Sequence, residues 1–154
     1  MRSPGHRANI LAPAHTHVGV GIAYNAAAGY VSIAQEFVNH YVNIEPLPSS
    51  ASVGATLTVR GRLLPGSRAP VLNLAYEPIP PPLSLAALAQ TGTYQSPAQN
   101  YAVPPISLTG DGSFSAAVLL DAGGRAGFYH IRLWVQHPVQ SDPIPAVNLL
   151  VETR

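Results

Sequence analysis

Six histidines, seven acidic and eight basic side chains are the chemical inventory of this 154-residue chain. His15-Thr16-His17 places two imidazoles at i and i+2, a spacing that projects both from one face of a strand, and neutral imidazole is a metal ligand. Nothing acidic lies near them in sequence, and zinc takes three or four protein ligands, so this pair alone completes no site. Glu36 and His6 have the side-chain types of an acid–base pair. Ser3 has no base paired with it in sequence, and its place before Pro4 reads as a helix cap. No G-x-S-x-G, phosphate-loop or H-E-x-x-H motif occurs. The lack of cysteine removes thiol nucleophiles, cysteine zinc sites and disulfides together. Asp111, Asp121 and Asp142 sit at expected turns, where aspartate bonds the local backbone. Phe128 and Trp134 share one strand face with His130, Arg132 and Gln136. Two rings on such a face make an aromatic platform for polysaccharide or a partner protein; the alternative is that both pack beneath the long 79–105 loop.

Composition narrows the classes further. Charged residues make up 10% of the chain against the usual share of about 25%, while the apolar content of 47% is ordinary. Disordered chains combine low apolar content with high net charge, and neither holds here. All eight basic residues are arginine and the formal net charge is +1, so the electrostatic footprint of nucleic-acid binding is missing. No apolar run approaches the roughly 18 residues of a membrane span, and no signal peptide is visible after Met1.

These residues must be positioned by two regions. Pro4 and Pro13 are the only prolines up to residue 44, whereas 14 follow from Pro46 onward. The run Glu45-Pro46-Leu47-Pro48-Ser49-Ser50 reads as a stiff extended linker. The expected division is therefore 1–44, a 45–50 linker, and 51–154. In the first region a short helix begins at Pro4 and stops before Pro13. Val18, Val20, Ile22 and Tyr24 alternate with Gly19, Gly21 and Ala23, which is strand periodicity, and the two glycines permit close approach by another element. A second strand from Tyr30 to about Val38 completes a β-hairpin. The second region holds five or six period-2 strands: Ala55–Leu63, Leu72–Tyr76, Phe114–Leu120, Tyr129–Val135 and Val147–Val151, with Ile106–Leu108 as a further one. With no long helix, this pattern predicts a small β-sandwich. Residues 83–90 read either as a helical turn or as part of a crossover loop.

Ser3-Pro4-Gly5-His6-Arg7-Ala8-Asn9-Ile10-Leu11, then Val18-Gly19-Val20-Gly21, then Tyr30 and Gln35-Glu36-Phe37, is an ordered set of segments. It resembles the carboxy-terminal third of bacterial domains of the cysteine-rich secretory, antigen and pathogenesis-related (CAP, or SCP-like) superfamily. There the pattern is S-P-G-H-R-x-N-I-L, G-V-G-V and an aromatic strand ending in Q-D-F. Glu36 replaces the usual aspartate and preserves its charge. The resemblance covers about 40 of the 154 residues. A methionine commonly precedes this segment in the family, so the resemblance implies that Met1 is an internal position of the ancestral domain. A region of 44 residues also buries too little surface to be stable alone, and its hairpin would leave Val18, Val20, Ile22 or Phe37 exposed.

The resemblance implies an α/β/α sandwich whose cleft holds two histidines and two acidic residues, binding a divalent metal in some members. Of that set only His6 matches a position present here. Ser3, Arg7, Asn9, Gly19, Gly21, Gln35, Glu36 and Phe37 then carry the motif structurally, with Arg7 and Asn9 tying the helix to its following loop. The expected fold is an α+β remnant, a short helix plus hairpin, followed by an all-β immunoglobulin-like sandwich. The expected function is non-catalytic binding of lipid, polysaccharide or protein at the bacterial cell surface, with no cofactor in this chain. Two alternatives are a polysaccharide-binding or adhesion module, and a hydrolase if the missing acidic residues are supplied.

Overall fold

The computed structural model describes residues 3–92, 97, 99 and 101–154. In chain order the elements are α1 (Pro4–Ile10), β1 (His17–Asn25), β2 (Tyr30–Val38), β3 (Val42–Ile44), β4 (Ser50–Ala51), β5 (Thr56–Leu63) and β6 (Arg68–Pro78). There follow α2 (Leu85–Ala89), β7 (Ser107–Leu108), β8 (Ser113–Leu119), β9 (Gly127–His137) and β10 (Gln140–Thr153). The protein is mostly β. One four-stranded sheet runs β4-β10-β9-β6 and the other β3-β5-β8-β7, while β1 and β2 form a separate hairpin.

Alternation in the sequence decides which face each sandwich strand buries. Tyr129, Ile131, Leu133 and Val135 point inward from β9, each no more than 2% exposed. They meet Leu72 and Leu74 of β6, and Val59, Phe114, Ala116 and Val118 from the facing sheet, in one continuous core. Fully burying a side chain of this size contributes roughly 1.5–3 kcal/mol, so the interdigitating layer dominates the stability of the sandwich. Gly61 of β5 belongs to this packing: a Cβ there would run into the Asn43 carbonyl of the neighbouring strand and the Phe114 ring. Residues 85–89 take the helical alternative, with the Ser84 hydroxyl accepting the Ala87 N–H at 3.2 Å.

The expected boundary at residue 44 and the linker at 45–50 are corrected. Val42–Ile44 pairs antiparallel with Leu63–Gly61 and so belongs to the sandwich. Glu45 N–H donates to the Arg60 carbonyl, and Ser50–Ala51 pairs parallel with Glu152–Thr153. Prolines at 46 and 48 leave no N–H to satisfy, which lets this segment pass from one sheet to the other as an extended edge. The first region ends at about residue 40.

Tyr41 fastens that region to the sandwich. It is 5% exposed, its hydroxyl donates to the Ala14 carbonyl at 2.8 Å, and its ring lies 4.9 Å from that of His137. The base of the hairpin is closed by Thr16, whose hydroxyl donates to the Val38 carbonyl and accepts the His40 N–H, both at 2.8 Å. Beyond this base every residue of β1 is exposed, and β2 is exposed except for half-buried Phe37. Nothing lies within 4 Å of a Cβ built on Gly19 or Gly21, so the close approach expected at these glycines is not made within the chain.

Candidate functional site

Trp134 marks a concave surface to which both regions contribute. It sits on the outward face of β9, flanked by Val71 of β6 and Pro145 of β10. Both neighbouring strands are irregular there. In β6 the register shifts between Arg68 and Val71, with Ala69 at φ 48°, and in β10 it shifts between Pro145 and Val147. Bulges of this kind bend a strand and re-aim its side chains, so the sheet opens around the indole. A groove of about 640 Å³ results, lined by Arg132, Trp134, Pro145, Ala146, Val147 and Asn148 from the sandwich and by Phe37, Val38 and Asn39 from the hairpin base. A second hollow of about 330 Å³ lies on the other side of Trp134, against Val71, Asn73, Gln136 and Pro143.

The hairpin base meets this groove through one long hydrogen bond and is braced by contacts of its own. Asn39 Nδ2 donates to the Pro145 carbonyl at 3.4 Å, and Asn39 Oδ1 lies 3.0 Å from His15 Nδ1. His15 stacks on Phe37 with ring centroids 4.7 Å apart, and its Nε2 lies 3.3 Å from Asn9 Oδ1. Pro143 and Pro145 fall in the half of β10 that β4 does not reach. Having no N–H, they leave that open edge unable to add a strand, so it meets the hairpin base through side chains instead.

The motif residues disperse. His6 Nδ1 lies 2.8 Å from Ser3 Oγ, so the serine engages the imidazole and makes no side-chain cap on α1. No ion pair joins His6 to Glu36 among the described residues, and Glu36 is exposed on β2. His15 and His17 do not face one ligand: His15 lies on Phe37, while His17 tilts toward His40 with centroids 5.7 Å apart. Asn9 does tie the helix to its following loop, through His15. Arg7 holds the end of α1 through its carbonyl, which accepts the Leu11 N–H at 3.0 Å. Among the described residues no three His, Asp or Glu side chains could hold a metal ion. The residues present therefore do not build the divalent-metal site that the resemblance implies for an intact domain.

Phe128 and Trp134 do not form one platform, because six residues of strand separate them by roughly 20 Å. Asp111 behaves as a turn residue: it accepts from the Thr109 hydroxyl, the Ser113 N–H and the Ser113 hydroxyl. Those bonds, the Thr109 hydroxyl foremost, hold its carboxyl down to about 2. Asp121 likewise accepts the Gly124 N–H, but Asp142 lies within β10 rather than in a turn.

One pair escapes sequence reasoning altogether. His130, 5% exposed, places Nε2 2.9 Å from Glu77 Oε2, and its buried Nδ1 has no partner. An Nε2–H donated to the carboxylate leaves Nδ1 as a bare lone pair, the less costly way to bury an imidazole with one contact. The residues are 53 apart, and only the β6–β9 register brings them together.

No helix among the described residues is long and apolar enough to cross a membrane. No protein-family model matches the chain, and no curated protein matches it significantly.

Proposed function

We propose that this chain is a non-catalytic binding protein of the bacterial cell surface, in which a CAP-like (SCP-like) carboxy-terminal element is joined to an immunoglobulin-like module. The groove around Trp134 carries the reading. It is built by both regions at once, and the groups that line it, an indole, a phenyl ring, the Arg132 guanidinium, carboxamides, proline rings and aliphatic side chains, hold and orient a ligand rather than transform it.

Strand order supports the immunoglobulin-like part. An immunoglobulin fold places strands A, B, E and D in one sheet and C, F and G in the other. Taking β3, β5, β8 and β7 as A, B, E and D leaves β6, β9 and β10 as C, F and G, with β4 as an added edge beside G. Tyr129 adds a second likeness. It stands near the start of β9, and its hydroxyl accepts the Ala122 N–H at 2.9 Å and reaches back to the Arg125 carbonyl. This is the arrangement of a tyrosine corner. For the first region the support is the ordered motif from Ser3 to Phe37, together with a hairpin whose faces the chain leaves uncovered.

A polysaccharide is the ligand best suited to the groove. An indole stacks on the C–H face of a sugar, and the carboxamides of Asn148 in the groove and of Asn73 and Gln136 in the adjoining hollow offer donors and acceptors to hydroxyl groups. Trp134 is the chain's single tryptophan, so its emission reports on this groove alone. Titration with a panel of neutral and acidic cell-wall glycans is expected to shift that emission saturably, and Asn148→Ala to weaken the response. A flat signal across the panel, with lipid vesicles shifting it instead, removes the polysaccharide reading and keeps the binding one. No response to glycan, lipid or surface protein overturns both.

A further inference from the structure

Building on the polysaccharide reading, on which this rests, we propose that the groove around Trp134 selects an acidic glycan, with Arg132 receiving the carboxylate of a uronic acid whose ring stacks on the indole. The register of three strands arranges the site in rows. Val71, Trp134 and Pro145 lie side by side across β6, β9 and β10, and the next row of the same outward face is Asn73, Arg132 and Asn148. An aromatic and apolar row thus borders one in which a guanidinium stands between two carboxamides.

Charge sets the preference. Among the described residues lining the groove and the adjoining hollow, Arg132 is the only charged one, and none carries a carboxylate. On the same face Glu77 and Glu152 flank Phe128, roughly 13 Å along β9 from Arg132. Both are engaged there, Glu77 with His130 Nε2 at 2.9 Å and Glu152 with Arg154 Nε at 2.9 Å. Arg132 is half-buried, in a groove walled by Trp134, Pro145 and Val147. Its charge therefore acts through a lower effective dielectric than that of open water, and an anion entering the groove is attracted more strongly.

The spacing suits a sugar acid. Arg132 and Trp134 are alternate residues of β9, so their rows are about 6.6 Å apart along the strand. A uronic acid carries its carboxylate directly on the ring, and a ring lying against the indole brings that group over the neighbouring row. A guanidinium holds a carboxylate through two parallel N–H···O bonds. The Asn73 and Asn148 amides, each one strand spacing of about 4.8 Å to the side, donate to the same oxygens or to adjacent hydroxyls. A glycerol phosphate polymer has the anion but no ring, so it leaves the indole uncovered.

Titrations of the intact 154-residue chain with oligomers of glucuronic, galacturonic and mannuronic acid, each alongside its methyl ester, test this through Trp134 emission. Esterification keeps the ring and removes the charge. At least one acid is expected to bind about 10-fold or more tighter than its own ester. Arg132→Gln is expected to bring that ratio close to one, and Arg132→Lys to leave an intermediate ratio, because an ammonium lacks the planar fork. Asn148→Asp, at an exposed position, sets a carboxylate beside the guanidinium and is expected to take the ratio below one. A general weakening of the groove wall lowers acid and ester together and leaves the ratio unmoved. Equal binding of acid and ester by the wild-type chain, a ratio unchanged in Arg132→Gln, or a poly(glycerol phosphate) that matches the best acid would each overturn the acidic specificity and leave the polysaccharide reading standing. No saturable response to any acid, ester or neutral glycan removes the polysaccharide reading itself, and this specificity with it.

Discussion

Replacing Tyr129 by phenylalanine isolates the contribution of one hydroxyl to the sandwich. The residue is fully buried, and its ring meets Tyr76 and Tyr101 edge-on at 5.4 and 6.0 Å, contacts that phenylalanine keeps. What disappears is the acceptor for the Ala122 N–H at 2.9 Å, together with a long bond to the Arg125 carbonyl at 3.4 Å. At 3.4 Å the second bond contributes little. Loss of the first strands a partly buried N–H, which costs about 1–3 kcal/mol. An expected loss of about 1.5–2 kcal/mol lowers Tm by roughly 3–8 °C in a chain of this length. Urea unfolding followed by Trp134 emission measures it, with an unchanged m value showing that the compactness of the end states is kept. Tyr76→Phe is the control: its hydroxyl donates to the Ala126 carbonyl at an exposed position, so its loss should cost less than about 0.5 kcal/mol. Equal effects for the two variants would refute the idea that the β8–β9 turn is held by the Tyr129 hydroxyl.

Tyr41→Phe should cost about 1–2 kcal/mol and, more tellingly, free the Ala12–His15 turn, because the Ala14 carbonyl loses its buried donor. Hydrogen exchange at Thr16 and His40 would report the loosening, and unchanged protection there would count against Tyr41 as the fastening. Alkaline pH provides another test. Burial, assisted by repulsion from Tyr129, pushes Tyr101 up to about 12, and burial likewise raises Tyr129. A folded-state value above the unfolded one means that the contribution is complete below pH 10 and is lost as pH rises from 10 through 12. Urea midpoints should therefore hold from pH 8 to 10 and fall beyond, less steeply in Tyr101→Phe; a flat profile to pH 11.5 would contradict the partial desolvation of Tyr101, which is 40% exposed, and the burial of Tyr129.

The sandwich was largely legible because most of its strands alternate over five or more residues, with one face of each mainly apolar. Val42-Asn43-Ile44 was not: three residues make a single alternation, and only the partner strand Gly61–Leu63 gives them a place. Proline content misassigned 45–50 for a related reason, since proline that is unsuited to a central strand is well suited to an edge that crosses between sheets. Trp134 could be named from its face, but its groove could not. Phe37–Asn39 reach it through the Tyr41–Ala14 fastening, the Asn39–Pro145 contact and the bulge at Ala146, none of which has a pattern. The motif from Ser3 to Leu11 was plain as a sequence, yet its residues end in one short helix and its loop, because chemistry at a cleft needs partners from other elements.

The parallel pairing of Ser50–Ala51 with Glu152–Thr153 has a consequence in time. It joins positions about 100 residues apart, and contacts of such separation form late, since loop closure must be met before they stabilise anything. During synthesis the hairpin leaves the ribosome before the sandwich and can form locally within microseconds, whereas the sandwich cannot close until its final strand has emerged. For that interval the nascent chain presents an exposed hairpin beside an unfinished sandwich. The order of the elements along the chain therefore sets the order in which they fold.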